Sequence, residues 1–594
     1  MTLSFDIANL SGLYAASDAT PQDVVRELFR RIREIGERPI WITLRSESDV
    51  LASLDAAPKG PLYGIPFAVK DNIDVAGLPT TCACPAYSYT PEHSAYVVDR
   101  LVAAGAIVIG KTNMDQFATG LVGTRSPYGI PSSPFNTDYI SGGSSSGSAV
   151  AVSRGLVSFA LGTDTAGSGR VPAAFNNIIG LKPTKGWIST RGVVPACRSQ
   201  DTVSIFALTC GDASSVMSIA ASYDADDDYA RLPPHPYHAH LVRSRVRVGV
   251  PRLGLEFFGD DAAEVLFRGA VCNIAALGAD IIDVDFTPFA EAAKLLYSGP
   301  WVAERAAAVG DFVDAHASDI DSTVRSIIQG ARTQSAVDTF EGFYSLARMC
   351  RQAEKIWDTI DVLLVPTTGT TYRIADVLAD PIQLNSNLGR TTNFVNLMDL
   401  SAFAVPAGFR ENGLPFGVTL IGRAFDDGYL TALGDKLHRS LSGAALGATT
   451  TALASVAPIV ATERCNDLIS IAVVGAHLSG QPLNVQLQER KARLVRTART
   501  SSGYSFYALP HTSPPKPGLI FDGHGKGNIE VEIWEMSADA FGSFVSLIPA
   551  PLGIGTLKLD DGSTVQGFLC EAHAIVGALD ITSFGGWRAW LASR

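Results

Sequence analysis

Three separated segments of the sequence carry residues suited to acyl transfer. Lys70 ends the run YGIPFAVK, Ser144 lies in SGGSSSGS, and Ser168 lies in LGTDTAGSGR. A lysine beside an apolar run is a candidate for desolvation, which lowers its pKa and lets it act as a base. Glycines in DTAGS let backbone N–H groups approach a developing oxyanion closely. The pattern therefore predicts serine acyl-transfer chemistry with a lysine base, and the alternative is a glycine-rich structural core.

The stretch SGGSSSGS, residues 141–148, also has the composition of a flexible linker. It is followed at once by the apolar run AVAVSRGLVSFALG, and the second Gly/Ser-rich turn comes soon afterwards, in DTAGS. Linkers are not distributed in this way, with two turns bracketing an apolar segment. We therefore expect two buried turns on either side of a helix.

The segment GAIVIGKT, Gly105–Thr112, fits the phosphate-loop pattern G-x-x-x-x-G-K-[ST]. Its intervening residues are mostly β-branched, which favours an extended backbone. The preceding AYVVDRLVAAG indicates a helix that ends at Gly105, so the order is helix, glycine, strand. A phosphate loop needs strand, loop, helix, and we predict no nucleotide site here.

Residues 143–147, GSSSG, fit the G-x-S-x-G nucleophile elbow of α/β-hydrolases. The preceding SPFNTDYISG is rich in turn formers, whereas an elbow follows a buried strand. A hydrolase of that type also needs a histidine downstream of the serine. The candidates His235, His238 and His240 crowd the Pro-rich segment PPHPYHAH, for which we predict a surface loop. The elbow remains the alternative interpretation.

Composition limits the classes of function. The 594 residues are 46% hydrophobic, which predicts two or more domains with a sizeable core. The 47 basic and 59 acidic residues give a net charge of −12, which argues against a nucleic acid or an anionic membrane as partner. Eight scattered cysteines without a C-x-x-C pair predict neither a disulfide framework nor a metal site. Together with a start that lacks signal-peptide features, they favour the cytoplasm.

The hydrophobic pattern divides the chain. Over residues 1–440, helical patterns such as PQDVVRELFRRIREI alternate with short β-branched runs such as DVLLVP, which predicts an α/β domain. Residues 441–464 are uncharged over most of their length, rich in Ala, Thr, Gly and Ser, and interrupted by Pro458; we interpret them as a linker and not a membrane helix. Residues 465–594 alternate with period two and contain the hairpin pattern TLKLDDGSTVQGFL, which predicts a smaller strand-rich α+β domain.

The three chemistry-bearing segments resemble the amidase signature family over about residues 20–440. The family motif runs from G-G-S-S through G-T-D-x-x-G-S-x-R to G-L-K-P-T, and this sequence contains it as GGSS, GTDTAGSGR and GLKPT. The resemblance implies a mixed sheet covered by helices. It also implies that Ser168 is the nucleophile, Ser144 a bridging serine after a cis peptide bond, and Lys70 the terminal base, with no cofactor.

The same resemblance assigns roles around the nucleophile. The oxyanion would be held by the backbone N–H groups of four consecutive residues, Thr165, Ala166, Gly167 and Ser168. Asp164 and Arg170 would form a structural ion pair and take no part in the chemistry.

Within the family, GTRSPYGIPSSPFN, TAGSGRVPAAFNNIIGLKPTKG and the two-part layout resemble the members that hydrolyse allophanate. The resemblance implies cleavage of the terminal amide to ammonia and N-carboxycarbamate. Tyr297 and Arg305, in LLYSGPWVAERAAA, would then bind the substrate carboxylate, since a guanidinium meets a carboxylate at two points. An ordinary helix-surface arginine is the alternative for Arg305, and another small amide, of malonamide or biuret type, is the alternative substrate.

The C-terminal region more faintly resembles the γ-glutamyl cyclotransferase-like fold, with VVGAHLSGQPLN in place of the glycine-rich substrate loop. In allophanate-hydrolysing relatives this region is implicated in removing carbon dioxide from N-carboxycarbamate. His477 is the residue that the resemblance points to, because an imidazole can handle both an anion and a proton; a packed strand-end histidine is the alternative. Glu535 is a weaker candidate for its partner. As partners of the chain we expect a small-molecule substrate, a second copy in a homodimer, and other enzymes of the same pathway.

Overall fold

The structure, a computed structural model, describes all of the chain except residues 1–2, 37, 234–240, 243–245, 442, 460–461, 464–467, 491, 511 and 526–527. The chain forms two compact units, Met1–Glu463 and Arg464–Arg594. The histidine-rich loop with His235, His238 and His240 lies outside the described residues.

The first unit is built on a large mixed sheet. Its strands, in chain order, are β1 (Trp41–Leu44), β2 (Pro66–Lys70), β3 (Ile107–Thr112), β4 (Phe159–Asp164), β5 (Ile179–Lys182), β6 (Thr202–Ala207), β7 (Leu241–Val242), β8 (Arg247–Pro251), β9 (Asp280–Val284), β10 (Val362–Pro366), β11 (Leu400–Phe409), β12 (Pro415–Arg423) and β13 (Thr462–Glu463). The order in the 11-stranded sheet is β1-β3-β2-β4-β6-β5-β11-β12-β10-β8-β9, while β7 and β13 pair separately. Strand β2 runs parallel to β3 and β4, whereas the pairs β4–β6 and β11–β12 are antiparallel, which confirms the predicted mixed sheet.

Helices cover this sheet. They are α1 (Ile7–Ala16), α2 (Pro21–Ile35), α3 (Glu47–Asp55), α4 (Tyr96–Ala103), α5 (Ser146–Ser153), α6 (Val171–Phe175), α7 (Cys210–Ala220), α8 (Asp261–Ala276), α9 (Thr287–Ser298), α10 (Val302–Ala315), α11 (Ser322–Gly330), α12 (Ala336–Trp357), α13 (Ile374–Ala379), α14 (Gln383–Leu388), α15 (Phe394–Leu397) and α16 (Asp427–Arg439). None of the helices in the described ranges is both long and apolar enough to cross a bilayer.

Local sequence explains many of these elements. Helix α2 begins at Pro21 behind a capping box in which Thr20 and Asp23 each satisfy the other's backbone N–H, and it buries Val24 and Leu28. Helix α5 is buried along its whole length, which small residues in SGSAVAVS allow. The predicted helix between the two Gly/Ser-rich turns is thereby confirmed.

The phosphate-loop look-alike is a strand, as the sequence predicted. Helix α4 ends before Gly105, whose φ of +96° turns the chain, and β3 then runs through the motif inside the sheet. Its Lys111 is buried, donates to Thr80 Oγ1 at 2.9 Å and lies 3.5 Å from Asp71 Oδ1. This lysine therefore has internal partners.

The predicted linker 441–464 contains residues that pack on the first unit. Leu446 and Leu453 are buried in its core. The backbone N–H of Ala448 donates to the carbonyl of Ser153, the last residue of α5, at 2.8 Å. The compact first unit accordingly extends to Glu463, well past residue 440.

The second unit contains β14 (Leu468–Val473), β15 (Arg493–Arg499), β16 (Gly503–Ala508), β17 (Pro517–Gly525), β18 (Glu530–Ser537), β19 (Leu552–Lys558), β20 (Thr564–Cys570) and β21 (Leu579–Asp580), with α17 (Val485–Glu489), α18 (Ala538–Val545) and α19 (Trp587–Ala592). Its sheets have the orders β15-β18-β14-β20-β19 and β17-β16-β21. The predicted hairpin is formed by β19 and β20, and Gly562 in its turn has a φ of +82°. The strand-rich character of this region is confirmed.

Candidate functional site

The sheet of the first unit brings the candidate catalytic segments together. Strand β2 ends at Lys70 and runs parallel to β4, which ends at Asp164 just before the Ser168 loop. Because the carboxyl ends of parallel neighbours meet at the same edge of a sheet, the lysine and this loop share that edge. Ser144 approaches from the turn that precedes α5.

Lys70 is wholly buried and makes two hydrogen bonds. Its Nζ donates to Ser144 Oγ at 2.8 Å and to Thr163 Oγ1 at 2.7 Å. Burial lowers the pKa of Lys70 to about 7, although the carboxylates of Asp115, Asp201 and Asp164 act in the opposite direction. The amine is therefore substantially neutral near pH 7, the form in which it can accept a proton.

The backbone around Ser144 is fixed on both sides. The Gly143–Ser144 peptide bond is cis, as the resemblance implied. Gly143 N–H donates to the carbonyl of Leu121 at 2.8 Å, and the Ser144 carbonyl accepts from the N–H of Asp115 at 3.0 Å. A Cβ on Gly143 would lie 2.1 Å from Asp115 Oδ2, so this approach needs glycine. Ser144 Oγ is thus held against the lysine.

Ser168 is buried on the loop between β4 and α6. Its Oγ donates to the carbonyl of Gly120 at 3.4 Å. Within the described residues, no hydrogen bond joins Ser168 Oγ to Ser144 Oγ. The Lys70–Ser144 half of the predicted relay is present as a hydrogen bond, and the other half requires Ser168 to turn from Gly120 towards Ser144.

The loop before Ser168 presents unpaired backbone donors. Over the described part of the chain, the N–H groups of four consecutive residues make no hydrogen bond: Thr165, Ala166, Gly167 and Ser168. Unpaired N–H groups at buried positions are rare in proteins. Gly167 has a φ of +142°, and a Cβ there would meet Thr392 Oγ1 at 2.5 Å. These backbone N–H groups are therefore available to a bound ligand.

Two buried carboxylates hold this loop. Asp164 forms an ion pair with Arg170 at 2.8 Å, and both side chains are completely buried. Burial would raise the pKa of Asp164, but the Arg170 guanidinium brings that pKa below its usual value. Asp201 accepts a hydrogen bond from Thr165 Oγ1 and further ones from the N–H groups of Ala196 and Cys197. The predicted ion pair between Asp164 and Arg170 is confirmed, and Asp201 was not found from the sequence.

Arg305 is a buried cation on α10. Its side chain donates to Thr119 Oγ1 at 3.0 Å and to the Tyr297 hydroxyl at 3.4 Å, and its guanidinium carbon lies 5.3 Å from the centre of the Tyr297 ring. Among the described residues Arg305 forms no ion pair, and its Nε has no hydrogen-bond partner. Thr119 precedes Gly120, whose carbonyl accepts from Ser168. Arg305 is therefore a buried cation that contacts Thr119, the neighbour of the residue to which Ser168 is hydrogen-bonded. The alternative, an arginine on the helix surface, is wrong.

A cavity of about 230 Å³ lies beside Tyr297. Lys294 and Arg390 contribute to its wall and are largely exposed, paired with Glu291 and Glu256 respectively. Asn393 also lines it; its Oδ1 is buried without a hydrogen-bond partner in the described chain. Asn393 was missed from the sequence, because an asparagine in TTNFVN carries no motif.

His477 of the second unit lines a different cavity, of about 170 Å³. Its ring stacks on Phe568 with centres 5.2 Å apart and meets Phe544 edge-on at 5.0 Å. Nε2 lies 2.9 Å from Gln486 Oε1. Burial lowers the pKa of His477, the contact with Gln486 raises it, and the nearby Lys516 lowers it further. The ring is therefore neutral near pH 7.

Glu535 does not accompany His477. Its carboxylate pairs with Arg493 at 3.1 Å on the sheet, and it is not part of the His477 cavity. The more deeply buried carboxylate is Glu532, which accepts from Ser479, Trp534 and Arg588. Gln486 takes the place expected for Glu535. The described residues contain no cluster of three or more His, Cys, Asp or Glu side chains that would suit a metal ion.

Comparison with known proteins places both units in families. The profile of the Amidase family matches residues 23–430, and that of the allophanate hydrolase C-terminal domain matches residues 469–592. The urea amidolyase of Saccharomyces cerevisiae is 46% identical over 574 residues, which cover 93% of this chain and 31% of that protein. The chain thus spans about a third of the length of this curated relative.

Solved structures give the same result. A Kluyveromyces lactis allophanate hydrolase is 42% identical, with a TM-score of 0.74 and complete coverage of both chains. The K. lactis urea amidolyase is also 42% identical, with a TM-score of 0.75 over all of this chain and 37% of that one. The large mixed sheet with helices and the strand-rich second unit are accordingly shared with these proteins.

Proposed function

The chain belongs to the amidase family, and from this premise we propose that it hydrolyses allophanate, a urea derivative that carries a carboxylate. The observation that carries the proposal is Arg305, which is buried without an acidic partner in the described chain and contacts the Thr119–Gly120 segment beside Ser168. The carboxylates of Asp201 and Glu304 raise the pKa of Arg305 without forming an ion pair with it, so the buried guanidinium remains open to a directly bound anion, which the carboxylate of allophanate supplies. A neutral amide would not form this pair.

The first step is attack of Ser168 on the terminal carbonyl of allophanate. Neutral Lys70 takes the proton of Ser144, and Ser144 takes the proton of Ser168 as the new C–O bond forms. The 2.8 Å separation of Lys70 Nζ and Ser144 Oγ allows a proton to pass between the two atoms, and the pKa of about 7 supplies the neutral amine that accepts it. No metal or organic cofactor takes part in this step.

The tetrahedral oxyanion is stabilised by the open N–H groups of residues 165–168. As the C–N bond breaks, the relay runs backward and its proton goes to the departing nitrogen, which leaves as ammonia. Water, deprotonated by the same relay, then attacks the acyl-enzyme and releases N-carboxycarbamate with Ser168 restored. Thr163 holds Lys70 in line through both halves of the cycle.

Arg305 and Tyr297 bind the carboxylate of allophanate. A guanidinium can meet both carboxylate oxygens, and its Nε, which has no described partner, supplies one donor. The substrate enters through the cavity beside Tyr297, whose wall also contains Asn393 with its unpaired Oδ1.

The second unit removes carbon dioxide from N-carboxycarbamate, with His477 as the group that handles the proton. The cavity that His477 lines supports this role, as does the match of residues 469–592 to the allophanate hydrolase C-terminal domain. The finer likeness to the γ-glutamyl cyclotransferase-like fold is part of the same proposal, with residues 473–484 as the substrate loop.

A second role, assembly with other enzymes, is favoured by the length of the relatives. In the S. cerevisiae urea amidolyase the matching region makes up 31% of the protein. We infer that this region works beside further catalytic regions of the same pathway, and as a homodimer. Sedimentation of the purified chain, alone and with a carboxylase of urea, tests both statements.

An ammonium-release assay over a panel of amides tests the main proposal. We expect allophanate to give two ammonium ions per molecule, and biuret, malonamide and glutamine to be turned over at least about 100-fold more slowly, because none of them offers Arg305 a carboxylate in the same position. Faster hydrolysis of a neutral amide than of allophanate would reject the substrate and leave the serine amidase intact.

A further inference from the structure

The segment of residues 115–125 contacts three different parts of the candidate site in the first unit. Three consecutive residues in it each accept a hydrogen bond from another segment: Thr119 from Arg305, Gly120 from Ser168 and Leu121 from Gly143. The first donor is the proposed carboxylate-binding cation, the second is the nucleophile, and the third precedes the bridging serine. A displacement of the 115–125 segment would therefore disturb all three at once.

The side chain of Asp115 holds this segment together from inside. Its Oδ2 accepts from the N–H of Gly123 and its Oδ1 accepts from the N–H of Arg125, both at 2.9 Å. The carboxylate therefore joins the first residue of the segment to its last three. Asp115 is completely buried, so bulk water does not compete for these hydrogen bonds.

Asp115 also contacts the turn that carries Ser144. Its backbone N–H donates to the Ser144 carbonyl at 3.0 Å. Two glycines pack against its Oδ2, from which a Cβ would lie 2.1 Å away at Gly143 and 2.8 Å away at Gly120. The carboxylate is thus in close contact both with the peptide before Ser144 and with the residue whose carbonyl accepts from Ser168.

The charge of Asp115 acts on Lys70 as well. Burial lowers the pKa of Lys70, and among the charges that oppose this effect Asp115 is the strongest, ahead of Asp201 and Asp164. Burial raises the pKa of Asp115 itself, whereas the Arg125 guanidinium and the two backbone N–H groups lower it. Because both oxygens accept hydrogen bonds, the ionised form is favoured.

We infer that Asp115 is the positioning residue of the relay: its carboxylate fixes the 115–125 segment and the Gly143–Ser144 peptide, so that Ser144 Oγ is held between Lys70 and Ser168. The inference rests on the proposed function and gives Asp115 no contact with the substrate. A purely structural carboxylate would affect only stability and the rate when replaced. Asp115 should also affect the pH at which Ser168 becomes reactive.

The reactivity of Ser168 tests the inference without an amide substrate. When phenylmethanesulfonyl fluoride labels a serine, the O–S bond forms, fluoride leaves and the relay takes the hydroxyl proton. Mass spectrometry of the full-length chain gives the rate of this labelling at each pH. In the parent chain we expect the rate to rise with pH and to level off above pH 7, as Lys70 becomes neutral.

Asp115→Asn keeps the shape of the side chain, removes its charge and turns one acceptor into a donor that faces a backbone N–H. We expect the plateau rate to fall at least about tenfold. The midpoint should move to lower pH by about half a unit or more, because Lys70 loses a negative neighbour. Asp212→Asn is the matched control: this buried residue of α7 accepts from the N–H of Ile7, and both rate and midpoint should stay as in the parent chain.

A parent-like plateau and midpoint in Asp115→Asn would overturn the inference, and so would a slow plateau with an unmoved midpoint. If circular dichroism shows that this variant does not fold, Asp115→Glu decides. It keeps the charge, but Gly120 and Gly143 leave no space for the longer side chain, so we expect slow labelling with the parent midpoint. Parent-like labelling in Asp115→Glu would overturn the inference.

The proposed function is tested separately on the same preparations by ammonium release from allophanate. A parent chain that is labelled at Ser168 with the expected pH dependence, but releases no ammonium, would reject the proposed substrate. The effects of Asp115→Asn on labelling would then still establish its role in the relay.

Discussion

The two candidate sites each contain a base whose pKa is lowered by burial, but they surround it differently. Lys70 is enclosed completely and bonded to two hydroxyl groups, those of Ser144 and Thr163. His477 lies in the wall of a cavity between Phe544 and Phe568, bonded to an amide. Lys70 therefore faces hydroxyl groups of the protein, whereas His477 faces a cavity.

The difference determines how each base can act. Lys70 cannot touch a substrate, so its proton must travel through Ser144 to the nucleophile. Burial disfavours the ammonium form of Lys70, whereas the negative charges of Asp115, Asp164 and Asp201 favour it. They keep the pKa of Lys70 near 7 rather than far below. His477 has no such relay and must meet its ligand directly.

The largest expected effect comes from breaking the relay. Ser168→Ala, Ser144→Ala and Lys70→Ala should each lower ammonium release by roughly 10⁴-fold or more, and the double variants should lose little further because the three residues act as a unit. Steady-state assays with allophanate measure this. Ser146→Ala, in the same serine stretch, is the matched control. Substantial ammonium release by Ser168→Ala would contradict its assignment as the nucleophile.

The second effect concerns substrate charge in the first unit. Arg305→Lys keeps the charge but removes the two-point contact, so we expect kcat/KM for allophanate to fall roughly 10- to 100-fold, as for lost hydrogen bonds between charged groups. Hydrolysis of a neutral amide of similar size should fall much less. Equal losses on both substrates would assign Arg305 to the support of the Thr119–Gly120 segment instead.

The third effect is the dependence of the first step on pH. Lys70 must be neutral to act, and its pKa is about 7. The kcat/KM for ammonium release should therefore rise about tenfold per pH unit below pH 7 and level off above it. His477→Ala should leave this acid limb in place, because His477 belongs to the other site. A limb that moves in that variant would contradict the assignment.

The smallest effect tests the second hydroxyl on Lys70. Thr163→Val removes the acceptor at 2.7 Å with little change of shape, and we expect a loss of roughly 3- to 10-fold in kcat. Since a hydroxyl stabilises the ammonium form more than the amine, its loss should also move the acid limb to lower pH. A limb that moves to higher pH would show that Thr163 does not accept from Lys70.

Short sequence patterns were enough to predict the features that depend on residues close together in the chain. The strand through Lys111, the hairpin of β19 and β20, and the buried helix after Ser144 all follow from branching, turn residues and small side chains. The candidate catalytic residues Lys70, Ser144 and Ser168 were identified because the family motif is long. Asp201, Thr163 and Asn393 were not, since each acts through a contact that only the folded chain creates. Gln486, which replaces the expected Glu535 beside His477, was hidden for the same reason.

The segment after residue 440 sets where this chain can be cut. Gly447, with a φ of +56°, brings its backbone so close to α5 that a Cβ would lie 2.4 Å from the Ser153 carbonyl, and Ala448 caps that carbonyl. Ser153 ends the helix whose other end follows Ser144. A protease nick or a gene split at the compositional boundary near residue 440 would therefore free one end of the helix that carries the relay serine at its other end. The N–H of Ile459 still donates to Asp435 Oδ2 on α16 at 3.0 Å, so natural or designed separation of the two units must fall beyond residue 459.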